Sequence, residues 1–351
     1  MTTNNPINMT SEGVAYYNGT GTFTGVDGNT SGFVLTSNGT GVAPSFQATS
    51  SSSSSILVTT FNSSGTWTKS TSPPTKYIEV FGFNSGGGGA SGAKRTSTAS
   101  GGGGGGAGGG GFYFNGLATA FGATETVTIG ATSNGGAPQT VDNASGNHGS
   151  AINVSSFGNM IGYLPTNVAI GGGASGTTPP ALPGVINTPW GIPNLGSNAL
   201  DNYFPTGGPG SVLGGQSGFW TPAAVLYLSG TPGGGGAGYD VGTPRSGAAG
   251  LAFVLIDGST PILAGGTAGF EPTGVNGGNG NTPLTSGGIM MGGTGGGGAG
   301  GPSIGIIPGI GGNGGIPGGG GGGGGGGIAG IASSGAGGNG ARGQIIVIEH
   351  F

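Results

Sequence analysis

Ile316-Pro317-Gly318-Gly319-Gly320-Gly321-Gly322-Gly323-Gly324-Gly325-Gly326-Gly327-Ile328 is the stretch that decides the fold. Fixing one glycine backbone costs up to about 2 kcal/mol, so ordering ten glycines costs on the order of 20 kcal/mol with no side chain to recover it. One net hydrogen bond per residue returns only about 1 kcal/mol. An ordered run must therefore be surrounded by backbone on several sides and gain close dispersion contacts as well. Glycine alone permits that approach, and a three-residue-per-turn, left-handed geometry points amides in three directions toward neighbouring runs. The stretch predicts a polyglycine II helix of about 31 Å packed among others of its kind.

Working outward, further glycine runs lie at 86–89, 101–106, 108–111, 233–236 and 295–298. The 96 glycines among 351 residues are about four times the usual share, and charged residues make up only 5%. Interior glycine disfavours helix by about 1 kcal/mol per residue. Short apolar runs recur to the last residue, which separates the chain from the apolar-poor, charge-rich composition of disordered segments. Between the glycine runs lie segments of strand length. They are Ile56–Phe61, Thr66-Trp67-Thr68, Tyr77–Phe83, Thr126–Ile129, Ala224–Leu228, Leu251–Ile256 and Gln344–Phe351. The expected fold is mostly β and irregular, with short β-strands plus packed polyglycine II helices.

The organisation reads as three parts. Residues 1–49 alternate short β segments with Asn18-Gly19, Asp27-Gly28 and Asn38-Gly39 turns, a β module too small to bury a core alone. It needs partners, most simply identical segments in a homotrimer. The serines 50–55 form a joint, and 56–351 form the glycine-rich domain, with a long-loop lobe around 130–230.

Two stretches resemble known families. Residues 13–47, especially Tyr16-Tyr17-Asn18-Gly19 and Thr30 through Gln47, resemble a short module common in phage tail-fibre and related trimeric fibre proteins. Phe61-Asn62-Ser63-Ser64-Gly65-Thr66-Trp67-Thr68-Lys69, Tyr77 to Phe81, glycines 86–89 and the closing stretch 337–351 are similar to the glycine-rich domain of phage tail proteins. The same stretches resemble the adhesins at the tips of long tail fibres in T-even-like phages. The resemblance implies a sandwich of polyglycine II helices whose loops contact host receptors. It also implies a virion location, attachment to other tail or fibre proteins through the N-terminus, and a host glycan or outer-membrane protein as partner. The chain departs from those adhesins in the length of 130–171 and 177–227, which points to a separate lobe, and in carrying a fibre module, which points to a trimer built into the tail.

Other chemistry finds little purchase. Six basic residues and a net charge of -4 offer no footprint for nucleic acid. No apolar stretch is long enough for membrane insertion, and residues 1–10 lack the pattern of a signal peptide. Without cysteine there is neither disulfide nor thiolate metal site. Gly301-Pro302-Ser303-Ile304-Gly305 matches a nucleophile elbow, but this composition makes such matches nearly inevitable, and its only histidine partners are His148 and His350. No Lys follows a glycine loop in Walker order, no aspartates are spaced for calcium, and the carboxylates are scattered. The expectation is a protein that is not an enzyme and takes no cofactor.

Aromatic residues are the better contact candidates. Trp190, Tyr203, Phe204, Phe219 and Trp220 lie in Pro- and Gly-rich loops, where they either stack on a sugar or receptor protein or form the core of the loop lobe. Lys94 and Arg95 are the only adjacent basic pair, suited to an anionic glycan or to a solvated loop tip. The alternative function is a structural filament or coat protein, and a glycine-rich ice binder is a third.

Overall fold

The computed structural model describes residues 14–17, 23–26, 33–40, 42–48, 55–95, 99–161, 230–240, 243–250, 253–254, 261–270, 273–283, 292–301, 303 and 305–351. Two compact units divide the chain, Met1–Ser55 and Ile56–Phe351. In the first, β1 (Val14–Tyr17) pairs antiparallel with β2 (Phe23–Val26), and β3 (Phe33–Thr36) with β4 (Ser45–Ala48). Asn38 ties the second hairpin, its Nδ2 donating to Ala43 O and Ser45 Oγ while its Oδ1 accepts from Gln47 Nε2.

The second unit opens with seven strands of two to seven residues. They are β5 (Ile56–Phe61), β6 (Gly65–Thr68), β7 (Tyr77–Phe83), the two-residue β8 (Lys94–Arg95) and β9 (Ala99–Ser100), β10 (Gly111–Leu117) and β11 (Thr124–Thr128). Short pieces follow: β12 (Ser156–Phe157), β13 (Met160–Ile161), β14 (Tyr239–Asp240), β15 (Thr243–Pro244), β16 (Phe253–Val254), β17 (Pro261–Leu263) and β18 (Gly327–Ile328). The last is β19 (Gln344–His350).

Two four-stranded antiparallel sheets, ordered β10-β7-β19-β5 and β13-β12-β11-β6, share one core. Alternation along β7 turns Ile78 and Val80 inward, where Val347 faces Val80 across the ladder to β19. They meet Trp67, Val127 and Phe157 from the other sheet. Trp67 and Phe157 have ring centroids 5.4 Å apart, and Phe121 packs edge-on to both. A Cβ on Gly82 would lie 2.0 Å from the Phe112 ring carbon Cε1, so the ring occupies the space that glycine leaves. Glu349 is buried among these residues, its carboxylate accepting from Trp67 Nε1 (3.1 Å), Ser70 N (3.0 Å) and Thr75 Oγ1. That one side chain ties the last strand to β6 and to the following turn.

Strands β7, β10, β11 and β19 feed directly into glycine-rich runs. In run 84–94 the hydrogen-bonding direction repeats every third residue. Asn84, Gly87, Ala90 and Ala93 donate to Gly110, Ala107, Gly104 and Gly101, whereas Ser85, Gly88, Ser91 and Lys94 donate to Asn153, Ser150, Asn147 and Ala144. Gly86, Gly89 and Gly92 donate to Ala341, Gly338 and Gly335.

Run 318–327 is enclosed on all sides. Its amides donate in turn to runs 309–315, 230–238 and 84–94, and its carbonyls accept from runs 101–110, 292–301 and 335–341. Gly321 and Gly324 donate to Gly87 and Ala90, Gly322 and Gly325 to Gly312 and Gly309, and Gly320 and Gly323 to Thr231 and Gly234. A central run with six backbone neighbours recovers its ordering cost by packing as well as by hydrogen bonds.

The fold is mostly β with almost no helix among the described residues, one short 3-10 turn at Ala118–Ala120. The sheets are small and antiparallel, as the alternating apolar patterns at 77–83 and 344–350 require. Residues 130–153, set apart by sequence as the start of a loop lobe, are instead two runs of the same body, bonded to run 84–94 and to 335–343. Their lower glycine content hid them. The expected strand Ala224–Leu228 lies outside the described residues, and so does most of Leu251–Ile256.

Candidate functional site

Bond directions place the ends of the described runs at one of two ends of the second unit. The two four-stranded sheets occupy one end, since 84 follows β7, 110 precedes β10 and 343 precedes β19. Run 84–94 is antiparallel to 101–110 and 144–153, and 318–327 is antiparallel to 335–341 and 309–315. Residues 95, 99–100, 138–143, 305–308 and 328–333 therefore lie at the end opposite those sheets, and so do 270 and 273–274 at the facing ends of runs 264–270 and 275–281.

At that end the loops are tied to one another. Lys94 Nζ forms a 2.7 Å ion pair with Asp142 and donates to Thr140 O at 3.0 Å. Arg95 donates through Nη1 to Asn143 O and through Nη2 to Ser145 Oγ, the latter at 3.0 Å. Gly330 N donates to Asp142 Oδ1 at 3.3 Å, and Gly330 takes φ +72°, a conformation that favours glycine. Asn143, at φ 60°, is a residue type that tolerates the same region. The hydrogen bond from Lys94, then that from Gly330 and the charge of Lys94, hold the Asp142 carboxyl below its usual range. The parallel β8–β18 bridge, which registers Lys94 against Gly327, completes the clamp.

This changes the reading of the basic pair. Both Lys94 and Arg95 find acceptors in the 140–145 loop, so the pair also fastens that loop to the end of run 84–94. Asp142, Asn143 and Ser145 lie about 50 positions further along the chain, too distant for the pairing to be read from sequence. Trp190, Tyr203, Phe204, Phe219 and Trp220 lie outside the described residues.

The same end carries exposed apolar side chains. Val141 projects from the clamped loop and Ile331 from the 328–333 connection, which meet where Ser334 N donates to Gln139 O. Phe270 and Val275 close the facing ends of runs 264–270 and 275–281, Ile306 and Ile307 come from the adjoining connection, Ile307 at 76% exposure, and Ile310 opens the run after it. The two connections touch, since a Cβ on Gly274 would lie 2.3 Å from Ile307 O. The other exposed large hydrophobics among the described residues belong to the first unit or to the sheets. Isolated aliphatic residues between glycine tracts were the available signal for this surface. Sequence reasoning passed over them because short apolar segments were taken as strands or core.

One flank is closed. Backbone amides of Ile310, Asn313 and Ile316 donate to the side chains of Asn276, Asn279 and Thr282, Asn339 N donates to Asn313 Oδ1, and Gly135 N to Asn339 Oδ1. Polar side chains at every third position thus accept amides that face away from the stack.

At the sheet end, His350 Nε2 lies 2.9 Å from Glu79 Oε1, and Tyr113 Oη donates to Glu79 Oε2 at 2.9 Å. Burial, then the Glu79 contact, raises the Tyr113 hydroxyl above its ordinary range. Ser303 sits in the 302–308 connection at the opposite end from His350, so those two members of the nucleophile motif are held apart by the length of the runs. Among the described residues there is no group of three or more His, Asp or Glu placed to hold a metal, and no helix long and apolar enough to cross a membrane. Compared with known proteins, the chain matches no family model and no curated protein.

Proposed function

We propose that this chain is a non-enzymatic tail-fibre tip protein of a virion, which attaches to a host cell through the end of its glycine-rich unit opposite the sheets. The observation that carries the reading is the gathering of exposed apolar residues on the connections at that end. Exposed apolar residues gathered at one end of a nearly uncharged body are a usual mark of a contact surface. The runs that hold it are read as polyglycine II helices. Hydrogen bonds that change neighbour at every residue and return after three support this geometry, which has three residues per turn.

In this reading the first unit joins the chain to other fibre proteins as a homotrimer. Its hairpins support this, because isolated two-stranded sheets are marginal in water and β3 leaves Phe33, Val34 and Leu35 exposed. Three copies would multiply a weak single contact.

The filament alternative needs flanks open to further runs, and the asparagine-capped flank speaks against growth there. The test is co-sedimentation of the purified protein with a panel of Gram-negative cells. Wild type is expected to sediment with at least one strain, and Ile307→Asp combined with Val141→Asp to lose about tenfold or more in apparent affinity. Undiminished binding by the double variant removes the tip as the contact surface. Spontaneous polymerisation without cell binding overturns the attachment reading.

A further inference from the structure

Among the described residues two buried side-chain nitrogens have no hydrogen-bond partner, the Nε atoms of Arg95 and Arg245. Both arginines lie at the end opposite the four-stranded sheets. A guanidinium whose Nε is enclosed meets an acceptor through its Nη edge. At Arg95 that edge is filled from within, Nη1 donating to Asn143 O and Nη2 to Ser145 Oγ. At Arg245 no hydrogen bond or ion pair of the guanidinium is found among the described residues. Arg245 opens run 245–250. Gly301 N donates to its carbonyl at 2.7 Å, and Gly247 and Gly250 donate to Gly269 and Gly266, so the run lies antiparallel to 264–270. Arg245 and Phe270 therefore stand at adjoining run ends, and Phe270 is 62% exposed.

We infer that Arg245 and Phe270 form a subsite for an acidic sugar, in which the open Nη fork takes a carboxylate or phosphate and the Phe270 ring lies against the sugar ring that bears it. The inference rests on the attachment reading given above and names the chemistry of what is bound. A planar fork pairs with either oxyanion through two parallel bonds. An exposed aromatic ring offers the flat apolar face that a sugar ring covers. An acidic sugar brings the anion and the flat face on one small unit, whereas an acidic side chain of a protein engages the fork alone. Asp240 precedes Arg245 and Glu271 follows Phe270 in the sequence, and the placement of their side chains lies outside the described residues. The test therefore includes a readout for pairing within the chain.

The full chain is titrated with two pairs of probes, oligogalacturonate against its methyl ester and mannose 6-phosphate against mannose. Wild type is expected to bind at least one acidic probe about tenfold or more tightly than its neutral counterpart, and the pair that responds tells carboxylate from phosphate. Arg245→Gln is expected to erase the preference with the melting temperature unchanged, Arg245→Lys to restore part of it, and Phe270→Ala to weaken the acidic probe by about tenfold. Equal affinity for acidic and neutral probes, or binding of neither acidic probe, overturns the inference. A preference kept by Arg245→Gln does the same, and so does a lowered melting temperature, which marks a pairing with Asp240 or Glu271. Co-sedimentation with cells separates this failure from that of the attachment reading. Cells bound by Arg245→Gln as by wild type, but not by the Ile307→Asp, Val141→Asp variant, overturn the subsite and leave attachment standing. Loss of binding when the cells are treated with protease assigns the contact to a surface protein and overturns the acidic sugar. A wild-type chain that prefers an acidic probe yet binds no cells overturns attachment alone.

Discussion

Replacing Gly322 with alanine tests whether the interior of the stack is held by backbone-to-backbone contact. The added Cβ would lie 2.0 Å from Gly297 O and 2.6 Å from Gly297 C, where real contacts begin beyond 3.0 Å. That carbonyl also accepts from Gly312 N at 2.9 Å, and Gly312 O accepts from Gly322 N at 2.7 Å. Relief therefore requires one run to withdraw by roughly 1 Å, which opens a mutual set of bonds among three runs. Overpacking costs about 1–3 kcal/mol and a buried bond left unmade about 1–3 kcal/mol, so Gly322→Ala should destabilise by roughly 2–6 kcal/mol. At about 2 °C per kcal/mol for a unit of this size, Tm falls by roughly 4–12 °C, measurable by circular dichroism.

Alanine itself is not excluded from the runs. Ala90, Ala237 and Ala299 are fully buried within them, so the position of the neighbouring carbonyl is what decides. Gly65→Ala is the matched control, since nothing lies within 4 Å of its Cβ. Equal melting temperatures for Gly322→Ala and Gly65→Ala would refute the argument.

Two further outcomes follow from the clamp and the buried carboxylate. Glu349→Ala strands the donors Trp67 Nε1 and Ser70 N, and should lower stability by about 3–5 kcal/mol in urea unfolding, whereas Glu349→Gln should cost less; equal midpoints would count against the carboxylate as the tie between β19 and β6. The Asp142 carboxyl is lowered in the folded chain, so its contribution is complete above its unfolded value and is lost as pH falls through the folded value. The hydrogen-exchange protection factor of the Gly330 amide should accordingly hold from neutral pH to about 4 and decline below, and Asp142→Asn should abolish that dependence.

How far the sequence reaches differs between the fold and the site. The alternation at Tyr77–Phe83 and at the C-terminal strand was legible because apolar residues at every second position leave a strand one buried face. The strand β10 was passed over, since Phe112, Phe114 and Gly116 face inward from a segment bracketed by glycine. The commitment of Lys94 and Arg95 was invisible, because their acceptors come from a loop brought alongside only when runs 84–94 and 144–153 pair. The aliphatic surface could be read residue by residue but not as a surface, since its members are spread from Val141 to Ile331.

By itself, then, the sequence determined that the chain is poor in helix, built from short strands and obliged to pack its glycine runs against backbone. Glycine's conformational entropy and lack of a side chain leave no other way to order them. Which run lies beside which, and hence which loops share an end, was decided only in three dimensions. A glycine carries no side chain with which to specify a neighbour, and its amide bonds equally well to any carbonyl at the right height. The pairing is set by the strands that launch each run and by the few Asn, Ser, Lys and Asp side chains that fasten the runs at their flanks and ends.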